Sequence, residues 1–500
     1  MESKVSRRLK EPAAREVCDN IYAPRLTRDF GAVFAYMTDL NQAHVLMLHT
    51  CGLISREVAR QLAGGLLTME QAGPGAVTLD PQREDAYFNY EAHLIGLVGT
   101  NAGGRLHIAR SRNDLGAALD RMRARDALLD LVDGVLQVRG QALAQAERHA
   151  GVVMPGYTHL QPAQPVTFGW YLLGIAQALE RDGQRLDQAY PRLNRNPLGA
   201  GALAGTTFPI DRQETARLLG FSGLVDHGLD AVASRDFVLE ILSALSLLGI
   251  TWSRLAQDFY VMTSYEFQSV EFPDSVTGTS SMMPQKKNPV VLEHLKGQTG
   301  HILGAFLAAG TAFRATSFTN TIDGNRDGVR ALWEAAQEAQ RCLRLADLIV
   351  RTATPVPAIM LKRAQENFGT ATDLADLLVR DADLAFREAH HVVGAVVRTA
   401  MDRGLAAHQI TSAMVDAAAL QVVGRALKLP EAAVSRSLDP VSSVEGRTLR
   451  GGPARGAVLE LVAEGRQRLA AERRAAEARR TSLADARATL KRELAALAGP

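Results

Sequence analysis

Three polar stretches of the chain combine residue types that could move a proton beside a carboxylate. One of them, residues 277–289, reads TGTSSMMPQKKNP and holds Ser280, Lys286 and Asn288. These side chains offer a candidate base, a cation and an amide at short spacing. A glycine and two prolines stop helix or strand from running through the stretch, which predicts a mobile catalytic loop. A polar surface turn is the alternative interpretation, and so short a motif does not separate the two.

A second polar stretch, GGRLHIARSRND, occupies residues 103–114 and precedes a long helical pattern. Backbone amides at the start of a helix, with arginines beside them, can hold an anion. Four of its side chains suit the binding of carboxylates: Arg110, Ser111, Arg112 and Asn113.

The third stretch, MPGYTHLQPAQP, occupies residues 154–165 and contains three prolines. It therefore cannot be helical throughout, and we expect a rigid connection. Thr158 and His159 add a hydroxyl and an imidazole. Taken alone, His159 is more often a structural histidine and Lys286 a surface lysine, so only the combination favours a site.

The chemistry that suits these groups is proton abstraction next to a carboxylate. Such a proton is weakly acidic, and the dianionic aci-carboxylate that forms needs fixed cations and amides. The sequence shows no metal-ligand spacing, phosphate loop or dinucleotide fingerprint. We therefore expect a small-molecule substrate with no metal and no cofactor.

Long helices must bring these stretches together. Hydrophobic residues make up 47% of the 500-residue chain and aromatic residues only 5%, so the apolar mass is Ala, Leu and Val. We predict an all-α fold with three domains and an elongated central bundle. The domains are a helical N-terminal domain (1–114), the central long-helix bundle (115–351) and a C-terminal helical domain (352–500). Helical patterns cover residues 30–53, 55–69, 115–151, 168–189, 235–262, 290–313, 329–350, 371–380 and 386–402.

The end of the chain, residues 456–498, is rich in Ala, Arg and Glu and predicts a peripheral helix or hairpin. Its arginine pairs, Arg473-Arg474 and Arg479-Arg480, are predicted to form a solvated face. In the bundle, antiparallel helices of such length bury only part of their surface, so self-association is expected.

Charge and cysteine content exclude several classes. Lys and Arg total 56 against 54 acidic residues, which gives no reason to expect nucleic acid or membrane as a partner. Three distant cysteines favour a reducing compartment. The charged start does not resemble a signal peptide, and the apolar run at 241–250 is too short to span a bilayer. We expect a cytoplasmic protein.

Taken together, the motifs resemble the fumarase/aspartase superfamily of homotetrameric lyases, and most closely argininosuccinate lyase. The loop SSMMPQKKNP at 280–289, RSRND at 110–114 and PGYTHLQ at 155–161 carry the resemblance. Further matches are PLGAGALAG at 197–205, SRDF at 234–237 and ATDLA at 371–375. The resemblance extends from residue 80 to residue 400.

This resemblance implies a three-domain helical subunit whose central helices form the core of a tetramer, with active sites shared among three subunits. In such a site Ser280 takes the Cβ proton of a succinyl group, and His159, partnered by Glu293, assists proton transfer or orients the substrate. Lys286 helps to hold the aci-carboxylate. The implied substrate-binding residues are Arg110, Ser111, Arg112, Asn113, Thr158, Ser281, Asn288 and Asn320.

Departures from the family pattern affect the leaving-group side. Argininosuccinate lyases carry Tyr, Gln and Lys after the loop, and an ungapped count from Ser280 places Asn320, Asn325 and Gly328 at these positions. In addition, Val290 stands in place of the usual Asp and Leu115 in place of the usual Gln. A guanidinium pocket without its polar partners should bind arginine poorly. We expect elimination of fumarate from an N-substituted L-aspartate with another amine, as in ethylenediaminedisuccinate lyases. A genuine argininosuccinate lyase of arginine biosynthesis is the alternative. A crystallin-like structural protein on the same scaffold is the third possibility.

Overall fold

The computed structural model describes residues 11–499, and the protein is 72% helical. The α-helices of this part are α1 (Arg15–Val17), α2 (Ala23–Thr50), α3 (Arg56–Ala72), α4 (Ala86–Val98), α5 (Thr100–Gly103), α6 (Arg112–Arg148), α7 (Phe168–Leu193), α8 (Arg212–Leu218), α9 (Gly228–Ala233), α10 (Asp236–Met262), α11 (Val290–Arg314), α12 (Val329–Thr352), α13 (Pro357–Glu366), α14 (Ala371–Ala382), α15 (Phe386–Asp402), α16 (Ser412–Val423), α17 (Glu431–Leu438), α18 (Pro440–Glu445) and α19 (Arg455–Ala498). The strands pair antiparallel, β1 (Val153–Thr158) with β2 (Gln161–Thr167) and β3 (Val270–Glu271) with β4 (Thr354–Pro355). Short 3₁₀ turns lie at Pro74–Ala76, Pro81–Arg83, Asp274–Val276 and Ala407–Gln409, and π turns at Cys18–Tyr22 and Asp323–Gly328. The all-α prediction is confirmed.

Five long helices, α6, α7, α10, α11 and α12, form the central bundle around one apolar cluster. The β1–β2 hairpin joins α6 to α7, and the two helices cross closely beside it. A Cβ on Gly169 would lie 2.3 Å from the carbonyl oxygen of Ala146, so only glycine permits this approach. Between α10 and α11 the buried indole N–H of Trp252 donates to Thr299 Oγ1 at 2.9 Å.

The helix at the centre of this bundle, α10, is also long and apolar enough to cross a membrane by length and composition. More than half of its most apolar window, 56%, is already buried inside this one chain. Core helices pass the same test, and the packing of α10 against α7 and α11 is that of a core helix.

Apolar residues form two further large clusters besides the central one. One joins α2, α3, α4, the first turns of α6 and α8, and the other joins α14 to α17. These clusters support the three predicted domains, which we retain as a proposal. The last helix departs from that division, because Leu490 and Leu494 of α19 belong to the N-terminal cluster.

The end of the chain forms one helix of 44 residues that packs along α6 and reaches α2 and α3. Arg473 and Arg474 are exposed, as the predicted solvated face requires, whereas Arg479 and Arg480 are partly buried. Arg479 forms an ion pair with Asp187, Arg480 binds Asp130 at 2.8 Å, and Arg473 donates to the carbonyl of Leu136 at 3.3 Å. Composition alone did not reveal that carboxylates of the bundle face these guanidinium groups.

Candidate active site

The loop of residues 277–289 lies between α10 and α11, and its two ends are bridged. Gly278 and Asn288 exchange backbone hydrogen bonds of 2.8 Å in both directions, and Asn288 Nδ2 donates to the carbonyl of Thr279 at 3.1 Å. Between them the chain projects outward, with Met282 84% exposed. The base of the loop is therefore fixed while its tip faces solvent.

Ser280 stands near the start of this loop with its oxygen already engaged. Its Oγ accepts hydrogen bonds from the backbone amides of Met282 at 3.3 Å and Met283 at 3.0 Å. Amide donors stabilise an oxyanion more than a neutral hydroxyl. This turn therefore favours loss of the serine proton, as a base requires.

Two lysines follow at the tip of the loop and differ in their partners. Lys287 pairs with Asp274, which raises the pKa of the Lys287 ammonium by hydrogen bonding and charge. Lys286 is exposed, and its ammonium has no carboxylate within 4.0 Å among residues 11–499. Lys286 is therefore free to bind an anion.

Glu293, the predicted partner of His159, is exposed in the first turn of α11.

Thr158 and His159 lie at the tip of the β1–β2 hairpin. Thr158 pairs with Gln161, so His159 and Leu160 are the two central residues of the turn. Both have positive φ, 56° and 58°, as a type I′ turn requires. Left-handed backbone costs a non-glycine residue about 1–2 kcal/mol, and such residues cluster at functional sites. The tip presents both Thr158 and His159 to solvent.

Residues 110–114 form the start of α6, where Arg110 points inward. Its guanidinium donates to Asn41 Oδ1 at 2.8 Å and to Tyr87 Oη at 2.9 Å. It is only 8% exposed. The structure therefore places Arg110 behind the site, so the sequence-based role of direct carboxylate ligand does not suit it. We assign it to positioning.

Tyr87, the partner of Arg110, is the centre of a small polar cluster. Its hydroxyl donates to Glu91 at 2.9 Å, and His107 Nδ1 lies 2.9 Å away. Burial lowers the pKa of His107 to about 4, with the charge of Arg110 adding to the effect. His107 is therefore neutral near pH 7, and the cluster anchors Arg110 without an additional cation.

Ser111, Arg112 and Asn113 face the open side of the same helix start. Ser111 is the N-cap of α6, and its Oγ accepts from the Asn113 amide at 3.2 Å. The Arg112 guanidinium donates to Asp85 at 2.9 Å and lies 4.1 Å from the ring centroid of Phe88. All three side chains are partly exposed, so they can reach a ligand.

Asp114 is a residue that the sequence-based site omitted. Its side chain is fully buried, and it accepts from the amides of Ser111, Gly199 and Gly201, each at 3.0 Å. It thus ties the start of α6 to the turn at residues 197–205. The Ser-x-x-acid spacing from Ser111 to Asp114 is the signal that could have revealed it, since this spacing marks a capping box.

The leaving-group candidates lie in the connection from α11 to α12. Asn320 and Asn325 are hydrogen-bonded to each other, and Asn325 Nδ2 also donates to the carbonyl of Val232 at 3.3 Å. Gly328 packs against Phe313, whose ring atoms lie 2.9–3.1 Å from the place of a Cβ. Any side chain at position 328 would therefore clash with the Phe313 ring unless the ring moved.

The bundle separates these residues into two groups. We call the end that carries Arg112, Asn113 and Asn320 the arginine end. At this end Arg121 near the start of α6 donates to the carbonyl of Leu193 at 3.2 Å, closing α6 against the end of α7. Further contacts place the start of α10 there as well: Arg235 binds Asp120 at 3.0 Å.

We call the opposite end, which carries His159 and Ser280, the serine end. There Tyr171 donates to Asp258 at 2.8 Å, and the ring centroids of Tyr157 and Phe267 are 5.9 Å apart. The helix α10 runs from one end to the other over 27 residues, about 40 Å at 1.5 Å per residue. A single chain therefore does not bring the three polar stretches together.

The chain matches two family models. The model described as "Lyase" covers residues 35–304, more than half of the chain, and the one described as "Argininosuccinate lyase C-terminal" covers residues 368–445. Argininosuccinate lyase 1 of Shouchella clausii is 39% identical over 447 residues, 89% of this chain and 90% of that protein. This chain belongs to the argininosuccinate lyase family.

Solved structures agree with this assignment. A variant of EDDS lyase with bound fumarate has a TM-score of 0.84 at 31% identity, covering 99% of both chains. A class II fumarase from Schistosoma mansoni, at 14% identity, a TM-score of 0.66 and coverage of 82% of this chain and 90% of its own, shares the fold alone. The chain is a member of the fumarase/aspartase superfamily and a carbon–nitrogen lyase that eliminates fumarate.

Apart from the buried Arg110, the predicted site residues of this lyase occupy exposed or half-exposed positions at the two ends. Within residues 11–499, no group of three or more His, Cys, Asp and Glu side chains is arranged to hold a metal ion. The groups that could stabilise charge in the described part are instead arginines, Lys286, amides and backbone N–H groups.

Proposed function

We propose that this lyase releases fumarate from an N-substituted L-aspartate whose amine is not arginine. The observation that carries the choice of amine is the packing at Gly328. At this position an ungapped count expects the lysine of argininosuccinate lyases, and the ring of Phe313 fills the space of any side chain. In addition, Asn320 and Asn325 bind each other instead of presenting a long donor or acceptor.

In the proposed reaction Ser280 removes the Cβ proton of the succinyl group. A neutral serine is a weak base, so its pKa must fall; the two amides that donate to its Oγ favour this, as does a cation such as Lys286. The carbanion is held as an aci-carboxylate by Lys286 and Asn288. Collapse of the carbanion breaks the bond between Cα and the nitrogen, yields fumarate and leaves the bonding electron pair on the nitrogen.

The succinyl carboxylates are proposed to bind Ser111, Arg112, Asn113, Thr158 and Ser281. His159, with Glu293 as its partner, orients the substrate or returns a proton to the leaving nitrogen. Since Ser280 and Arg112 lie at opposite ends of one chain, we propose that different subunits of a homotetramer supply them. Helices aligned antiparallel between subunits would place the serine end of one beside the arginine end of another.

Cleavage of argininosuccinate is the second candidate. The relatives support it directly, since those from Shouchella clausii and from Methanosarcina acetivorans, the latter 36% identical over 84% of both chains, are named argininosuccinate lyases. Under this candidate Asn320, Asn325 or Asp323 would hold the arginine part in place of the family residues.

The experiment is the reverse reaction, the addition of an amine to fumarate, followed by loss of the ultraviolet absorbance of fumarate. We expect consumption with amines other than arginine. The Ser280→Ala variant should be about 10²–10⁴-fold slower, as for loss of a general base. Ser275→Ala, at an exposed serine of the preceding 3₁₀ turn, is the matched control and should keep the full rate.

Three other results have clear meanings. Consumption of fumarate with arginine alone would favour the second candidate. Equal rates for Ser280→Ala and the unmodified protein would exclude Ser280 as the base. No consumption with any amine would contradict the proposed function.

A further inference from the structure

The hairpin that carries Thr158 and His159 is attached to the C-terminal helices as well as to the bundle. Val153 at the start of β1 belongs to a small apolar cluster with Ala364 of α13 and Val444 of α18. Both helices contact β1, and α18 also contacts β2. The base of the hairpin is therefore packed against C-terminal helices, while its tip is exposed.

The closest approach to the hairpin is made by Gly369, in the connection from α13 to α14. A Cβ at this position would lie 2.2 Å from the carbonyl oxygen of Ala163 in β2. The next carbonyl of the same strand, that of Gln164, would lie 2.6 Å from a Cβ on Gly156 of β1. Two consecutive carbonyls of β2 are thus approached by glycine backbone, which only residues without a side chain permit.

The segment that presents Gly369 is itself fixed. Asn367 Oδ1 accepts a hydrogen bond from the Gly369 amide at 2.6 Å, and Asn367 Nδ2 donates to the carbonyl of Arg363 in α13. The following residue, Thr370, is fully buried and donates to the carbonyl of Leu438 in α17 at 3.3 Å. Gly369 therefore has little freedom to withdraw from β2.

A second contact supports β1 just before the tip. The Arg363 guanidinium lies 5.6 Å from the ring centroid of Phe267 and donates to the carbonyl of Glu266. The Phe267 ring in turn packs edge-on against Tyr157, with the two centroids 5.9 Å apart. Because Tyr157 directly precedes Thr158, this stack extends from α13 to the tip of the hairpin.

The tip depends on such support. His159 and Leu160 both adopt left-handed backbone, which a non-glycine residue keeps only where the surrounding structure imposes it. Both side chains are exposed, so they bury little surface that could fix the turn. The conformation is therefore imposed from the base of the hairpin.

We propose that Gly369 and Arg363 are positioning residues, which together set where the hairpin presents Thr158 and His159 to the substrate. The inference rests on the proposed function, in which these two side chains contact the substrate. His159 lies four residues from Ala163, about 13 Å along an extended strand. Pairing with β1 makes the hairpin one unit, so a displacement at Ala163 also moves the tip. Misplacing a reacting group by about 1 Å can lower a rate about 100-fold.

The test is fumarate addition with an amine that the unmodified lyase uses. Gly369→Ala should lower kcat about 10- to 100-fold, because the added methyl group must displace β2. Gly65→Ala is the matched control, since its Cβ would lie 2.4 Å from Val98 Cγ1 where α3 contacts α4. It should lower the midpoint of thermal unfolding and keep kcat within about twofold. Gly394→Ala, with nothing within 4 Å of its Cβ position, should change neither.

Arg363→Gln tests the second contact without overpacking. It should lower kcat about threefold or more, because loss of the guanidinium frees the Phe267 ring that supports Tyr157. Arg363→Lys, which keeps a cation for the ring, should recover part of the loss. Arg380→Gln, at an exposed arginine of α14, is the control and should keep the full rate.

A double-mutant cycle with His159 separates positioning from a general loss of structure. In the His159→Asn background Gly369→Ala should cost less than about fivefold, because only Thr158 is then left to position. A structural defect would instead multiply with the effect of His159→Asn. Hydrogen exchange in residues 153–167 measures the displacement without turnover, and it should be faster in Gly369→Ala than in Gly65→Ala.

Two results overturn this inference while the proposed function stands. One is a full rate of Gly369→Ala with unchanged hydrogen exchange in the hairpin, and the other is an equal loss of rate with and without His159. If Gly369→Ala does not fold, equal rates of Arg363→Gln and Arg380→Gln overturn it. Absence of reaction with every amine would instead defeat the proposed function, and the inference with it.

Discussion

The residue that distinguishes the leaving-group side is a glycine. Gly328 precedes α12, and the edge of the Phe313 ring lies 2.9 Å from the place of its Cβ. Aromatic rings in packed surroundings do not shift freely, because interiors are close-packed. The Phe313 ring therefore leaves room only for glycine at this position, and under the proposed function the missing side chain is one contact fewer for arginine.

Gly328→Ala should therefore destabilise the lyase by about 1–3 kcal/mol, the usual cost of overpacking. The measurement is the midpoint of urea unfolding. Gly456→Ala is the control, since nothing lies within 4 Å of its Cβ position near the start of α19. That change should be neutral or slightly stabilising, because alanine favours helix. Equal effects of the two substitutions would contradict the packing at Phe313.

At the scale of elements, α19 connects two parts of the molecule. It begins beside the serine end, where the chain before it accepts a hydrogen bond from Trp170 through the Gly451 carbonyl at 2.7 Å. It ends at the N-terminal cluster, where Lys491 donates to Asp39, Gln42 and Glu70 at 2.6–2.7 Å. The helix thus holds the N-terminal cluster against the bundle that carries the arginine end.

Lys491→Met should cost roughly 1–3 kcal/mol, because it leaves the partly buried Glu70 without its cation and leaves Asp39 with Arg487 alone, at 3.1 Å. Hydrogen exchange should also become faster in the last turns of α19. Arg474→Met, on the exposed face of the same helix, should have no such effect. The difference between the two variants should shrink in 1 M salt, where charges are screened. If it persists unchanged, the contact is not electrostatic.

Sequence patterns predicted the elements better than their partners. The stripe beginning at Leu115 predicted α6, and the prolines of residues 154–165 excluded helix where the hairpin stands. Hydrophobic periodicity indicates which face of a helix is apolar, but it does not indicate which side chain a polar residue contacts. The inward turn of Arg110 toward Asn41 and Tyr87, and the pairing of Arg480 with Asp130, depend on contacts distant in sequence. Residue type alone could not reveal them.

At the scale of the whole molecule, apolar side chains remain exposed along the central helices. Leu247 and Ile250 of α10 are more than 40% exposed, and Leu307 of α11 is 67% exposed. Contiguous exposed apolar surface commonly marks a protein interface. Both helices run between the serine end and the arginine end, so a subunit packed on them could complete the site.

Leu307→Glu should prevent tetramer formation, because a charge would be buried in the proposed interface without a partner. Sedimentation velocity should then show smaller species, and fumarate addition should be lost with them. Leu449→Glu, at a loop residue 84% exposed, is the control and should remain assembled and active. An active monomer of the Leu307 variant would mean that one chain suffices.

The central claim, that the serine end of one subunit completes the arginine end of another, is tested most directly by mixing two inactive variants. Ser280→Ala and Asn113→Ala subunits are dissociated, combined in equal amounts and allowed to reassemble, and fumarate consumption is measured. In random assembly about half of the sites receive an intact Ser280 and, independently, about half receive an intact Asn113. About a quarter of the sites therefore hold both residues, so about a quarter of the unmodified rate should return. Each variant reassembled alone should stay inactive. Failure of the mixed tetramers to regain activity would contradict the shared site.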